Sequence, residues 1–255
     1  MNPTLVAPDR PDPLWRRTLL FALWSEFRTR WRFKFTLPRI RTTELAGVQL
    51  DVSTLSPVMK NLLLQGRYEV QERWLARRYL QPDDAVLEVG GAIGFIGLFC
   101  QSQIGIRQYT TVEANPATVA LLRRNYALNG RTPQVWNLAL AGEDGEITLN
   151  VGNEFWENSV VAGAGAGRSV RVPAATLASL VRRLDYAPTA LIIDIEGAEQ
   201  FIDFQQLPAS VKKLIIELHP AVIGAATTYR IVTDLVSLGF RMEQEIGGTF
   251  FFLRR

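Results

Sequence analysis

The chain has one cysteine, Cys100, one histidine, His219, and three methionines among its 255 residues. A lone thiol excludes an intramolecular disulfide and a cysteine-rich zinc site, and its apolar neighbours mark it as a small core residue. No run approaches the roughly 20 apolar residues that a membrane-spanning helix needs. The stretch Leu19 to Trp24 is short and has no small-residue cleavage site behind it, so the chain reads as cytoplasmic and without a secretory signal. Net charge is scarce too: a formal +3 excludes a chain that is basic throughout. The basicity is local, with Arg16, Arg17, Arg28, Arg30, Arg32, Arg39 and Arg41 crowded near the N-terminus.

What is present fits a folded catalytic domain with an extension. Hydrophobic residues make up 47% and charged ones 21%, which leaves enough apolar surface to bury a substantial core. Residues 1–13 hold four prolines and are expected to form a flexible leader. Leu20, Trp24, Phe27 and Trp31 then recur at helical spacing, with arginines flanking the stripe. Such a helix over residues 14–35 either rests on an anionic membrane surface or packs its aromatic face on the catalytic domain or a second copy of the chain.

Short extended segments follow up to residue 51, then helices over 56–64 and 68–80. Further on, β-rich runs at 85–89, 108–113, 134–140, 191–195 and 213–218 alternate with helical patterns at 95–103, 116–128, 199–204 and 229–238. Alternation of this kind predicts an α/β, Rossmann-like sandwich whose mostly parallel sheet carries helices on both faces. Residues 241–246 and 249–253, joined by Gly247-Gly248, predict an antiparallel hairpin at the C-terminal edge. The division expected is an N-terminal extension over 1–55 and a catalytic domain over 56–255.

In open α/β sheets ligands bind beyond the carboxyl ends of the strands, so the first strand-to-helix turn matters most. Here it contains Gly90, Gly91 and Gly94, which let the backbone bend sharply and approach a ligand. Glu88 ends the strand before them, placed to face the amino group or a bound water of a zwitterionic cofactor. Glu113 ends the second strand, followed by Ala114, Asn115 and Pro116; an acid about 20 residues after the glycine turn suits a ribose diol. A nicotinamide dinucleotide would share that acid but would bring the G-x-G-x-x-G fingerprint, which this turn does not match. Acid, glycine turn, helix, strand and acid in this order favour S-adenosylmethionine.

At these residues the chain resembles the FkbM family of methyltransferases. The likeness is carried by Gly66-Arg67-Tyr68-Glu69 through Glu72, by Glu88 to Gly94, by Glu113 to Pro116 with Asn125 and Asn129 downstream, and by Ile193-Asp194-Ile195-Glu196-Gly197-Ala198-Glu199. Ala139 with Gly145 and Ile216-Glu217-Leu218-His219 match more weakly. The resemblance implies a class I methyltransferase fold, S-adenosylmethionine as methyl donor, and mostly O-methylation of sugars and natural products. The chain departs from the family's D-x-G-A-N-x-G turn at Glu88, Gly91 and Ala92, which removes one polar contact at Ala92. Residues 1–55 lie outside the likeness.

Methyl transfer to a hydroxyl needs alignment, water exclusion and a place for the acceptor's proton. Asp194 and Glu196 alternate along the end of one strand and Glu217 and His219 along the next, so the four side chains are expected to converge. His219, with an ordinary pKa near 6.5, is the candidate general base, oriented by Asp194 or Glu217. The alternative is a magnesium or manganese ion held by Asp194, Glu196, Glu217 and His219; the metal-free version is the one expected. Glu199 either reaches the acceptor or sits in a helix's first turn, where its charge suits the dipole. Trp156, within Asn153 to Ser159, stacks on a sugar ring or belongs to a connecting loop.

The function expected is O-methylation of a small-molecule or glycan hydroxyl. A nucleic-acid methyltransferase using the basic N-terminal arm and a non-catalytic cofactor-binding module are the alternatives. No nucleic-acid partner is expected; a homo-oligomer or peripheral membrane contact through residues 14–35 is.

Overall fold

The computed structural model describes residues 31–152 and 168–255. The leader, the aromatic stripe up to residue 30, the Asn153 to Ser159 segment with Trp156, and the glycine-alanine patch at 163–167 lie outside the described residues.

A π turn at Arg32–Thr36 and a 3-10 turn at Leu37–Arg39 precede the hairpin β1 (Thr42–Leu45) and β2 (Val48–Asp51), which is followed by α1 (Pro57–Leu64) and α2 (Val70–Tyr79). Next come β3 (Ala85–Val89), α3 (Phe95–Phe99), β4 (Gln108–Glu113), α4 (Pro116–Leu128), β5 (Gln134–Asn137) and β6 (Ala139–Leu140). They are followed by β7 (Gly145–Val151), β8 (Arg168–Ala175), α5 (Leu177–Arg183) and β9 (Ala190–Ile193). The chain ends with β10 (Lys213–Glu217), α6 (Pro220–Ile223), α7 (Ala225–Ser237), β11 (Phe240–Ile246) and β12 (Thr249–Arg254).

Seven strands form the main sheet in the order β11-β12-β10-β9-β3-β4-β5. The inner pairs are parallel, while β12 runs antiparallel to both β10 and β11. Strand order reverses beside β3, as in a doubly wound sheet, and the C-terminal hairpin turns at Gly247 (φ 59°) and Gly248 (φ 98°). This is the Rossmann-like sandwich expected of the class I methyltransferase fold. A second sheet, β6-β8-β7, and helix α5 were not legible in the sequence.

Side chains along the strands alternate between two cores. Val86, Ile192, Ile215 and Phe251 face one, with α1, α2, α3 and α4; Leu87, Leu191, Ile193, Leu214, Ile216 and Phe252 face the other, with α5 and α7. Burial on both faces explains why these strands read as near-continuous apolar runs. Helix starts follow capping chemistry: Ser56 Oγ accepts from Met59 N, Asn115 Oδ1 from Ala117 N and Thr176 Oγ1 from Ser179 N. Proline occupies the first turn of α1 and of α4, where its missing N–H costs nothing.

Several expectations are corrected. The predicted strand 134–140 divides, its first half pairing with β4 and its second joining the small sheet, because the chain leaves the main sheet at Leu138. The helix expected over 95–103 ends as α at Phe99 and continues as a π turn closed by Gly105 at φ 92°. The helix expected over 199–204 is replaced by two 3-10 turns, Ala198–Phe201 and Phe204–Gln206.

The hairpin ahead of residue 55 packs on the core. Leu45, Val48, Leu50 and Val52 are buried with α3 and α4. Asn129 clamps β2, its Oδ1 accepting from Gln49 N and its Nδ2 donating to Gln49 O at 2.7 Å. Among the described residues no helix is long and apolar enough to cross a membrane. Cys100 is buried and unpaired, the core residue expected.

Candidate active site

The carboxyl ends of β3, β4, β9 and β10 open onto a cavity of about 390 Å³, within the size range of small-molecule sites. Gly90 and Ala92 of the first turn, Glu113 and Ala114 beyond β4, and Leu138, Ala139, Leu140 and Leu149 line one end. Asp194, Glu196 and Glu217 line it beside Tyr68, Glu69, Gln71 and Glu72 from the start of α2.

At the first end the backbone fixes an acid. Ala92 N donates to Glu113 Oε2 at 2.9 Å and Asn115 N to Oε1 at 2.8 Å, so two main-chain donors hold the carboxylate at the mouth of β4. Burial raises its pKa to about 7 despite those donors. Ala92 reaches this position with φ 43°, a left-handed conformation uncommon outside glycine. Gly90 is required by contact: a Cβ there would lie 1.6 Å from the carbonyl oxygen of Asp194.

Other residues expected to touch a cofactor do not line the cavity. Glu88 turns beneath the glycine turn, where Thr111 Oγ1 donates to its Oε2 at 2.8 Å, and burial lifts its pKa to about 7. It supports the turn from behind because the strand's alternation sends its side chain to the α3 face. Gly91 and Gly94 serve packing: a Cβ at Gly91 would meet Thr111 Cγ2 at 1.9 Å, and one at Gly94 would meet Leu122 Cγ at 2.8 Å. Asn115 is buried as the cap of α4, while Ala114 does line the cavity.

At the other end the expected convergence occurs by a different route. β9 stops at Ile193, and Asp194 to Glu196 lie in the turn beyond it, with Glu196 at φ 46° and Gly197 at φ 96°. His219 Nε2 stands 3.3 Å from Glu196 Oε2, 3.8 Å from Asp194 Oδ1 and 3.9 Å from Glu217 Oε1. The partner that orients His219 is neither Asp194 nor Glu217 but Glu199, whose Oε1 lies 2.5 Å from Nδ1. Glu199 has 0% exposure and stands behind the imidazole, in the first turn of the 3-10 helix Ala198–Phe201 and outside the cavity lining.

Charge crowding shifts these groups. Burial, then the charges of Glu217 and Glu196, hold the Asp194 carboxyl well above the usual range. Burial and the charge of Glu72 raise Glu217 to about 7. For His219 burial alone would lower the pKa, but the hydrogen bond to Glu199 and the surrounding carboxylates carry it up to about 9.

Sequence reasoning gave no site role to Tyr68, Glu69, Gln71 and Glu72, although it noted the run. Glu69 takes φ 44° at the start of α2, and burial raises its pKa well above the usual carboxylate range, opposed by a hydrogen bond from Tyr68. Glu72 accepts from Thr249 Oγ1 at 2.5 Å, tying α2 to the C-terminal strand. The one available signal was the density of acids in a short polar stretch.

No family model matches the chain, and no curated protein matches it in sequence. Among solved structures, the chain is similar to a ribosomal protein L11 methylase from Lactobacillus delbrueckii subsp. bulgaricus. Identity is 13%, coverage 74% of this chain and 80% of that one, and the TM-score 0.45. It is also similar to a methyltransferase FkbM from Methylobacillus flagellatus KT, with 14% identity over 94% of this chain and 60% of that one, at a TM-score of 0.45. A third is TrmK of M. capricolum, solved in complex with S-adenosyl-homocysteine, with 9% identity, 71% and 66% coverage, and a TM-score of 0.43.

Proposed function

We propose that the chain is an S-adenosylmethionine-dependent methyltransferase that transfers a methyl group to a hydroxyl of an uncharged sugar, glycan or natural product. The observation that carries this reading is Glu113, a carboxylate pinned by two backbone N–H groups where β4 ends, beside a glycine turn and over a small-molecule cavity. Its remaining lone pairs suit a ribose diol. Val112, Leu138 and Leu140 offer an apolar wall for a base, and Gly90 and Ala92 leave room for close approach of the backbone. When bound, the cofactor supplies a methyl group on a positively charged sulfonium. A cavity lined by Glu69, Glu72, Glu113, Asp194, Glu196 and Glu217, with no lysine or arginine among its described lining residues, favours that cation.

The chain's own residues then hold and orient the acceptor. Asp194, Glu196 and Glu217 accept hydrogen bonds from hydroxyls, and the apolar wall excludes water from the reacting end. The same acidic lining disfavours phosphate-bearing acceptors, which is why we prefer a neutral polyol to a nucleic acid. A pure binding module has no use for carboxylates packed closely enough to raise one another's pKa. Calorimetry with S-adenosylhomocysteine, followed by a methyl-transfer screen of glycosides against RNA, tests the reading. A folded chain that binds no S-adenosylhomocysteine at millimolar concentration would sink the cofactor assignment; transfer to RNA alone would sink the acceptor class.

A further inference from the structure

We propose that Asp194, Glu217 and His219 form a binding site for a hard divalent cation of the magnesium or manganese kind, at the acceptor end of the cavity. One ligand atom from each residue lies within 4.8 Å of the others. The separations of 3.8 and 3.9 Å from Nε2 to the two carboxylate oxygens are too long for hydrogen bonds, but they suit groups flanking a common ion. The two carboxylates suit a hard divalent ion such as magnesium or manganese, with the imidazole as the one softer ligand.

Two further observations point to a ligand. Asp194 Oδ1 has no accessible surface and no hydrogen-bond donor, although its residue lines the cavity; a buried acceptor without a partner is costly unless something positive meets it. The second is the support behind the imidazole. Glu199, fully buried, has only acceptors to offer, so the proton of a neutral His219 sits on Nδ1 and the lone pair of Nε2 faces Asp194 and Glu217. Metal-ligating histidines are characteristically oriented by such a carboxylate on their other nitrogen. Glu196, 3.3 Å from Nε2, adds negative charge at the rim.

The consequence rests on the proposed function, whereas the binding does not. A cation here would take an acceptor hydroxyl as a further ligand and lower its pKa, which gives the proton of that hydroxyl a reason to leave. This reverses the metal-free expectation from the sequence.

The test uses the full chain and manganese alone. Electron paramagnetic resonance of free Mn²⁺, titrated with purified protein at neutral pH, is expected to show one ion bound per chain. Binding should be at least tenfold weaker in Asp194→Asn and in His219→Ala, and unchanged in Glu243→Gln on the distant strand β11. Circular dichroism checks each variant; should His219→Ala fail to fold, the isosteric Glu217→Gln replaces it, again with at least tenfold loss expected. An undiminished free Mn²⁺ signal with the parent chain, or equal binding by the folded variants, overturns the proposal. S-adenosylhomocysteine calorimetry in EDTA separates the two claims: cofactor binding without manganese binding removes the cation site and leaves the methyltransferase reading, and the converse removes the latter.

Discussion

Asn125 donates its side-chain amide to the carbonyl oxygen of Ile93 at 2.8 Å, fastening α4 to the turn that leads into α3. Its Oδ1 accepts from Asp51 N at 2.7 Å, so one buried side chain joins the N-terminal hairpin, α4 and the glycine turn. Asn125→Ala would leave a buried donor and a buried acceptor without partners. A loss of about 2–4 kcal/mol is expected in urea unfolding; a loss below 0.5 kcal/mol would mean that water replaces the amide.

Glu113→Ala should weaken S-adenosylhomocysteine binding by about 1.5–3 kcal/mol, the scale of hydrogen bonds to a charged group. Because the carboxyl titrates at about 7, the affinity of the parent chain should fall as pH drops below 7, by up to about tenfold per unit. Glu113→Gln should abolish that part of the pH dependence. Calorimetry between pH 5.5 and 8.5 decides it: parallel pH profiles for parent and variant would remove Glu113 from the site.

Glu88 makes a stability prediction with a defined sign. Its folded pKa, about 7, lies above the ordinary 4.5, so the folded chain keeps the proton that the unfolded chain gives up as pH rises between those values. Stability is therefore lost from about pH 4.5 to about pH 7, by roughly 3 kcal/mol at most. Glu88→Gln, which keeps the shape, should be more stable than the parent at pH 8 and near it at pH 4.5. Denaturant midpoints that move equally at both pH values would disprove the assignment.

Gly90→Ala combines two penalties, a φ of 96° and a methyl carbon 1.6 Å from Asp194 O. The backbones of β3 and β9 must separate to admit it. A cost of roughly 3–5 kcal/mol, or failure to accumulate folded protein, is expected; a variant with the parent's melting temperature would show that the turn relaxes freely.

How much of this was legible in the sequence depended on the range of the forces involved. Strands β3 and β4 and helix α4 were placed to the residue, because burial on both faces writes apolar runs and because Asn115-Pro116 is a local cap. Glu113 was legible for the same reason, as a strand end at a fixed distance from a glycine turn. Glu88 was not: its side-chain direction depends on which face α3 covers. The pairing of Glu199 with His219 was not legible, because it depends on the 3-10 turn after Gly197 that sets the acid against the imidazole. Glu69 and Glu72 reach the cavity through the placement of α2 across the sheet, a tertiary fact with no local mark. The small sheet escaped notice because β7 and β8 alternate weakly and pair across a long connection.

The N-terminal hairpin has a consequence for how the chain comes to be folded. Its buried face packs on α3, and it is clamped by Asn125 and Asn129, which follow Asp51 and Gln49 by 74 and 80 residues. A two-stranded hairpin alone is marginally stable in water. During synthesis, therefore, Leu45, Val48, Leu50 and Val52 emerge long before the helices that cover them, and closure of that face waits for residue 129 to clear the ribosome. The interval is a window of vulnerability to aggregation and proteolysis that belongs to translation, not to the finished protein.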